Sequence, residues 1–184
     1  MRCLQRDLPQ KSSRRALRKF GRMERSRLMI GFKLLFSLVI CQIAAVLGEM
    51  LTKEGMNGWY SQINKPFFTP PSWFFISVWS FLFVMMGLAL FLITIQNEKY
   101  KKVVHAGTFF ILQLVFNVLF SLVFFTFHFI FGGVLVLLIL FALVFHTTRI
   151  FFHISELAGF LMVPYTIWIG FVFFLNLTIL LLNR

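Results

Sequence analysis

Five stretches of this chain are long and apolar enough to cross a hydrocarbon layer, and this limits what it can fold into. They run from Leu28 to Leu47, Trp73 to Ile95, Val103 to Phe125, Ile130 to Thr147 and Leu157 to Leu182. A spanning helix takes about 20 mostly apolar residues. In lipid a helix is favoured because it satisfies its own backbone groups. No Asp, Glu or Arg lies well inside any stretch. Lys33 sits near the start of the first, where its stem can snorkel to the interface. The composition is 59% hydrophobic and 13% charged. A soluble domain carries about 25% charged residues, so this chain has too few to cover a water-facing surface. Disorder is excluded by the same balance, since disordered segments need low hydrophobicity. The expected fold is an all-α membrane protein, a bundle of five transmembrane helices. The first stretch, at about 20 residues, exceeds the 7–15 of a cleaved signal core and is expected to stay as a helix.

The charge is concentrated at one end. Residues 1–33 hold 11 Lys and Arg and two acids, Asp7 and Glu24, which is +9 of the net +12. We read residues 1–27 as a basic, flexible, cytoplasmic tail and 28–184 as the transmembrane domain. With the N-terminus inside, the tail and the loops at 96–102 and 149–156 carry 15 of the 18 basic residues. The positive-inside rule therefore favours N-in and C-out. A flank that orients the chain explains the basic run without a nucleic-acid partner, and none is expected. The partners expected are membrane lipids. Ala44 and Gly48 form a small-xxx-small pair that allows close helix packing and leaves a homodimer open.

The segment between the first two stretches is the most informative. It holds Trp59, Tyr60 and Lys65, then Pro66, Pro70 and Pro71, three prolines in six residues. Each proline pushes the residue before it away from helical geometry, so Lys65 and Thr69 are expected to be extended. Pro71 suits the first turn of the second spanning helix. A stiff cap over one end of the bundle follows.

Behind that cap the spacing makes faces. Trp79, Phe83, Met86 and Leu90 fall at i, i+4, i+7 and i+11, one stripe of a helix. Gln113, Asn117, Phe120 and Phe124 repeat that spacing, and Tyr165, Trp168, Val172 and Asn176 form a third stripe. Amides are costly against lipid, so Gln113, Asn117 and Asn176 are expected to face the bundle and bring their aromatic neighbours with them. Inward aromatics beside a few amides make the lining of an apolar ligand pocket. The same amides also suit interhelical hydrogen bonds worth about 0.6–2 kcal/mol, and Trp79 and Trp168 suit ordinary packing. Pro164 cannot donate to the carbonyl of Phe160, so a kink or break is expected in the last helix.

Other chemistry finds little support. Cys3 and Cys41 make no disulfide framework, and His105, His128, His146 and His153 lack metal-ligand or catalytic spacing. No metal is expected. No carboxylate is expected within the membrane, which argues against an ion-coupled transporter. No nucleophile elbow, phosphate loop or dinucleotide-binding glycine pattern occurs.

The pattern Trp59-Tyr60, Lys65-Pro66, Pro70-Pro71, Trp73, Val78-Trp79 and Met86-Gly87 resembles the TspO/MBR family of tryptophan-rich sensory and translocator proteins. Two further blocks follow in order: Gln113-Leu114, Asn117, Ser121 and Phe124-Phe125, then Pro164-Tyr165, Trp168, Phe171, Leu175-Asn176 and Leu182-Asn183. The resemblance covers about Leu28 to Arg184 and implies a five-helix bundle. It implies a membrane binding protein for porphyrin-like tetrapyrroles, or similar flat apolar ligands, that senses or transports them. The pocket would lie between helices under the first loop, drawing on Trp59, Lys65, Trp79, Phe83, Gln113, Asn117, Phe120, Tyr165, Trp168 and Asn176. No resident cofactor is implied; a porphyrin or haem is the ligand. One alternative is light-driven porphyrin degradation, with Trp79 and Trp168 as catalytic residues. Another is a lipid or sterol transporter, or a membrane scaffold. Two departures matter: Phe120 stands where the family usually has Trp, and Leu177 stands where the animal sterol pattern has Tyr. A prokaryotic cell membrane is favoured over the mitochondrial outer membrane.

Overall fold

The computed structural model describes the backbone of residues 8–56, 58–96 and 100–184. The first seven residues of the basic tail and residues 97–99 of the expected inner loop lie outside the described residues. The elements are α1 (Leu8–Met56), the single turn α2 (Trp59–Gln62), α3 (Ser72–Ile95), α4 (Tyr100–Ser121), a π-helical turn (Leu122–Thr126), α5 (Ile130–Ile154) and α6 (Glu156–Leu182). Five of these helices are long and apolar enough to cross a membrane: α1 over Arg27–Lys53, α3, α4 continuing into the π turn, α5 and α6.

Two expected boundaries move. The span in α1 continues to Lys53, not Leu47, and α5 continues to Ile154, not Thr147. Hydropathy falls where polar residues begin, but a helix needs only continued backbone bonding and can extend past its apolar stretch. At its other end α1 reaches back to Leu8. Residues 8–27, expected as a flexible tail, form its first turns, through Lys, Arg, Leu and Ala with no proline after Pro9. α6 runs unbroken through Pro164, so no helix break occurs there. Pro71 stands just outside the helix it was expected to begin. Its carbonyl accepts from the backbone N–H groups of Phe74 and Phe75 at 3.0 and 3.2 Å.

The helices close a ring. α1 packs against α3 and α4, α3 against α6, α6 against α5, and α5 against α4. The core is apolar, but so is the outer surface, and a few polar residues are buried. Phe32, Phe36, Phe81, Val115, Phe131, Phe145, Phe160 and Phe174 are exposed, while Ser37, Gln113, Asn117, Ser121, Thr147, Thr148 and Asn176 are buried. Threonines hold the α5–α6 seam: the Thr148 and Thr166 hydroxyls lie 2.8 Å apart, so one donates to the other, and the accepting hydroxyl spends its own proton on its helix backbone, at the Val144 or the Met162 carbonyl. In hydrocarbon such groups must bond inside the protein or stay unpaired at a cost.

Two glycines set how closely α1 approaches its neighbours. A Cβ on Gly87 of α3 would stand 3.1 Å from Leu38 Cα and 3.2 Å from the Ser37 carbonyl oxygen. A Cβ on Gly55 of α1 would meet the carbonyl oxygen of Phe125 and lie 2.9 Å from its Cβ. Gly31 and Gly107 have nothing within 4 Å of that position. Gly55→Ala and Gly87→Ala are therefore expected to destabilise the folded protein by about 1–3 kcal/mol through overpacking. Gly31→Ala and Gly107→Ala are expected to be neutral or to gain up to about 1 kcal/mol of helix propensity. Thermal unfolding of the four variants in detergent compares them directly.

Candidate functional site

A cavity opens between α1, α3 and α4 toward the end of the bundle that carries the first loop. α1 lines it with Ala45, Gly48, Glu49, Thr52 and Met56. α3 contributes Phe75, Ile76, Trp79, Ser80 and Phe83. α4 contributes Asn117, Phe120 and Ser121, and the π turn contributes Phe125. Five aromatic rings, Phe75, Trp79, Phe83, Phe120 and Phe125, make up much of the apolar wall. The polar groups are Asn117, Glu49 and the hydroxyls of Thr52, Ser80 and Ser121. Thr52 donates to the Gly48 carbonyl at 2.7 Å and reaches the Ser121 hydroxyl at 3.3 Å. Ile76 and Ser80 are exposed and Glu49 is partly exposed, which marks the mouth between α1 and α3. The room inside is about 70 Å³, below the roughly 300–1,000 Å³ of pockets that engulf a drug-sized ligand.

The three stripes read from the sequence all turn inward. Phe83, Gln113, Asn117, Phe120, Tyr165 and Asn176 are buried, and Trp79 and Trp168 pack against the core. Asn117 donates from Nδ2 to the Tyr165 hydroxyl at 2.9 Å, a bond from α4 to α6 across the ring. Trp79 sits at the centre of an aromatic group. Its ring lies 5.7 Å from Phe83, 6.2 Å from Tyr165 and 6.5 Å from Trp168. These are the tilted and edge-on arrangements that aromatic quadrupoles favour.

Facing inward is not the same as facing the cavity. Trp79, Phe83, Asn117 and Phe120 line it; Trp59, Lys65, Gln113, Tyr165, Trp168 and Asn176 do not. Tyr165 and Trp168 form a second layer behind Trp79. The indole Nε1–H of Trp168 is buried without a partner among the described residues. Asn176 donates to the Val172 carbonyl within its own helix at 2.8 Å, while its Oδ1 has no partner among the described residues. Gln113 is fully buried, and neither amide atom has a partner among the described residues.

The loop clamps the end of the bundle. Trp59 stacks on His128 at 4.7 Å and meets Phe124 edge-on at 5.5 Å. His128 has φ 55°, in the left-handed region, where it turns the chain into α5. Tyr60 packs against Phe124 and Phe125. Burial of Tyr60 raises its phenol pKa to about 12, because the charged form would be desolvated. Lys65 stands over the Tyr60 ring with Nζ 4.7 Å from its centroid, so its charge is turned to that ring. At the far side, Asn64 and Asn183 exchange hydrogen bonds of 2.9 Å, and Phe68 stacks on Phe174. The loop thus bridges the π turn and the end of α6.

The TspO/MBR family model matches residues 37–182. This chain belongs to the TspO/MBR family. It is 34% identical over 151 residues to the tryptophan-rich protein TspO of Archaeoglobus fulgidus, covering 82% of this chain and 97% of that protein. It is 33% identical over 144 residues to the tryptophan-rich protein TspO of Chlorobaculum tepidum, covering 78% and 91%. With the translocator protein of Homo sapiens it shares 30% identity over 125 residues, covering 67% and 73%. The match to the TspO/MBR model begins inside α1 and leaves the basic segment outside it.

The α1 wall and the π turn were missed from the sequence. Ala45, Gly48, Thr52 and Met56 follow the same i, i+3, i+7, i+11 spacing as the other stripes. The signal was present but crossed the end of the apolar stretch at Leu47, and it brings Glu49 to the cavity edge. The π turn bonds Phe127 N–H to the Leu122 carbonyl at 3.0 Å. Its extra residue lets the consecutive Phe124 and Phe125 both be buried. The unpaired amide of Gln113 carries a desolvation cost of about 1–3 kcal/mol. Gln113→Leu is therefore expected to raise the unfolding temperature of the ligand-free protein. A fall would show that the amide holds a bond the fold needs.

Proposed function

We propose that this multi-pass membrane protein binds porphyrin-like tetrapyrroles or similar flat apolar ligands in the cavity between α1, α3 and α4. The observation that carries this reading is the cavity wall: Trp79, Phe83, Phe120 and Phe125 line it with aromatic rings, and Asn117 offers an amide fixed by Tyr165. Flat macrocycles gain from stacking on such rings, and one oriented amide holds a polar edge in place. A cavity of about 70 Å³ does not admit a macrocycle as it stands. Binding therefore requires α1 to part from α3 at the mouth formed by Glu49, Ile76 and Ser80. The two helices are held closely at Gly87, toward the other end, so parting there would act like a hinge. The relatives from Archaeoglobus fulgidus and Chlorobaculum tepidum support a prokaryotic cell membrane, and the basic N-terminal segment alone supports placing the N-terminus inside.

Titration with protoporphyrin tests the reading. Tryptophan fluorescence is expected to be quenched and the Soret band to shift on binding. Trp79→Leu is expected to weaken binding about tenfold, the equivalent of roughly 1.4 kcal/mol of stacking. Trp168→Phe, one layer behind, is expected to change affinity little. No spectral change with any tetrapyrrole sinks the proposal.

A second reading is light-driven breakdown of the bound porphyrin. It is favoured by Trp79, which lines the cavity, with Trp168 stacked edge-on 6.5 Å behind it. Illumination of the complex is expected to yield a product in the wild type and none in Trp79→Phe with binding retained. Porphyrin left unchanged by light rejects it.

A further inference from the structure

We propose that Glu49 sets the charge class of the ligand: the site favours flat molecules whose polar edge is neutral or cationic over those edged with carboxylates. The inference rests on the cavity being a ligand site, as proposed above.

The charges around the cavity point this way. Glu49 lines the cavity, and its carboxylate accepts from Lys53 Nζ at 2.8 Å, one helical turn on. Among the described residues no Lys or Arg lines the cavity. Three described basic groups on α1 and the loop, Lys53, Lys65 and Lys33, each have a partner outside the cavity wall or lean to solvent. Lys53 is the more exposed member of its pair, with 64% of its side chain open against 41% for Glu49. Lys65 stands over the Tyr60 ring, and Lys33 donates to the Thr94 carbonyl at 2.9 Å, toward the far end of α1. A ligand seated between α1 and α3 therefore meets the carboxylate before it meets a cation. A carboxylate-edged ligand would have to approach that charge, and to reach Lys53 it must compete with Glu49. An ammonium-edged ligand can replace Lys53 as the partner of Glu49. An ester-edged ligand is indifferent to both.

The test uses one macrocycle with three edges: protoporphyrin as its diacid, as its dimethyl ester, and as a diamide carrying two protonated amine ends. Each is titrated against the full-length wild type and Glu49→Gln, which keeps the side chain's shape. In Glu49→Gln the diacid is expected to bind about fivefold tighter and the diamine about fivefold weaker, with the ester unchanged. That is the size of effect a single part-exposed charge supplies. The differences are expected to shrink in high salt. Lys53→Gln, which leaves Glu49 unpaired, is expected to move diacid and diamine in the opposite directions. Binding of all three that is the same in wild type and Glu49→Gln, or that shifts in one direction together, overturns the inference while leaving the site intact. If none of the three binds either protein, the ligand site itself is rejected and this inference with it.

Discussion

Lipid offers no hydrogen bonds, so polar groups in the spanning helices bond to their own backbone or turn into the bundle, and that constraint shapes it. The apolar phenylalanines of each helix can face outward because hydrocarbon solvates them. The amides turn inward with several hydroxyls: Asn117 finds Tyr165, Thr148 finds Thr166, and Thr52 reaches Ser121, while the exposed Ser77, Ser80 and Thr108 donate to their own helix backbone. The Asn117–Tyr165 bond matters most for the site. It ties α4 to α6 across the ring and holds the amide against the cavity beside Trp79.

The site is then a product of mismatch between helices. α1 and α3 touch backbone to side chain at Gly87, and α1 meets the π turn at Gly55. Between those two close approaches they leave a cavity that aromatic rings only partly fill. The loop covers its end by two independent attachments, aromatic contacts at the π turn and the reciprocal Asn64–Asn183 hydrogen bonds at α6. The aromatic side chains of α3 and α4 face α1 across this cavity, and they are the wall on which the proposed flat ligand would stack.

Much of this is legible in the sequence because lipid makes polarity a strong directional signal. Gln113, Asn117 and Asn176 are buried, as their cost in hydrocarbon required, and the aromatic stripes turned inward with them. The ordered proline, tryptophan and amide blocks pointed to the family that the match over residues 37–182 shows. Glu49 escaped because a hydropathy reading ends where polarity begins, whereas α1 continues to Met56. The π turn escaped because one extra residue in a helix leaves no mark in composition. Lys65, expected among the pocket residues, stands over Tyr60, a pairing set by how the loop folds back.

By itself the sequence determined the number of spanning helices, the residues that must avoid lipid and the face of each helix they share. Those properties follow from local periodicity and from the cost of polar groups in hydrocarbon. Only the tertiary structure decided which inward residues meet the cavity and which stand behind others. Trp79 and Trp168 both turn toward the core, yet only Trp79 lines the space. The difference comes from the ring order of the helices and the close approaches at Gly55 and Gly87. These depend on contacts between residues far apart in the chain, which no single helix's pattern records.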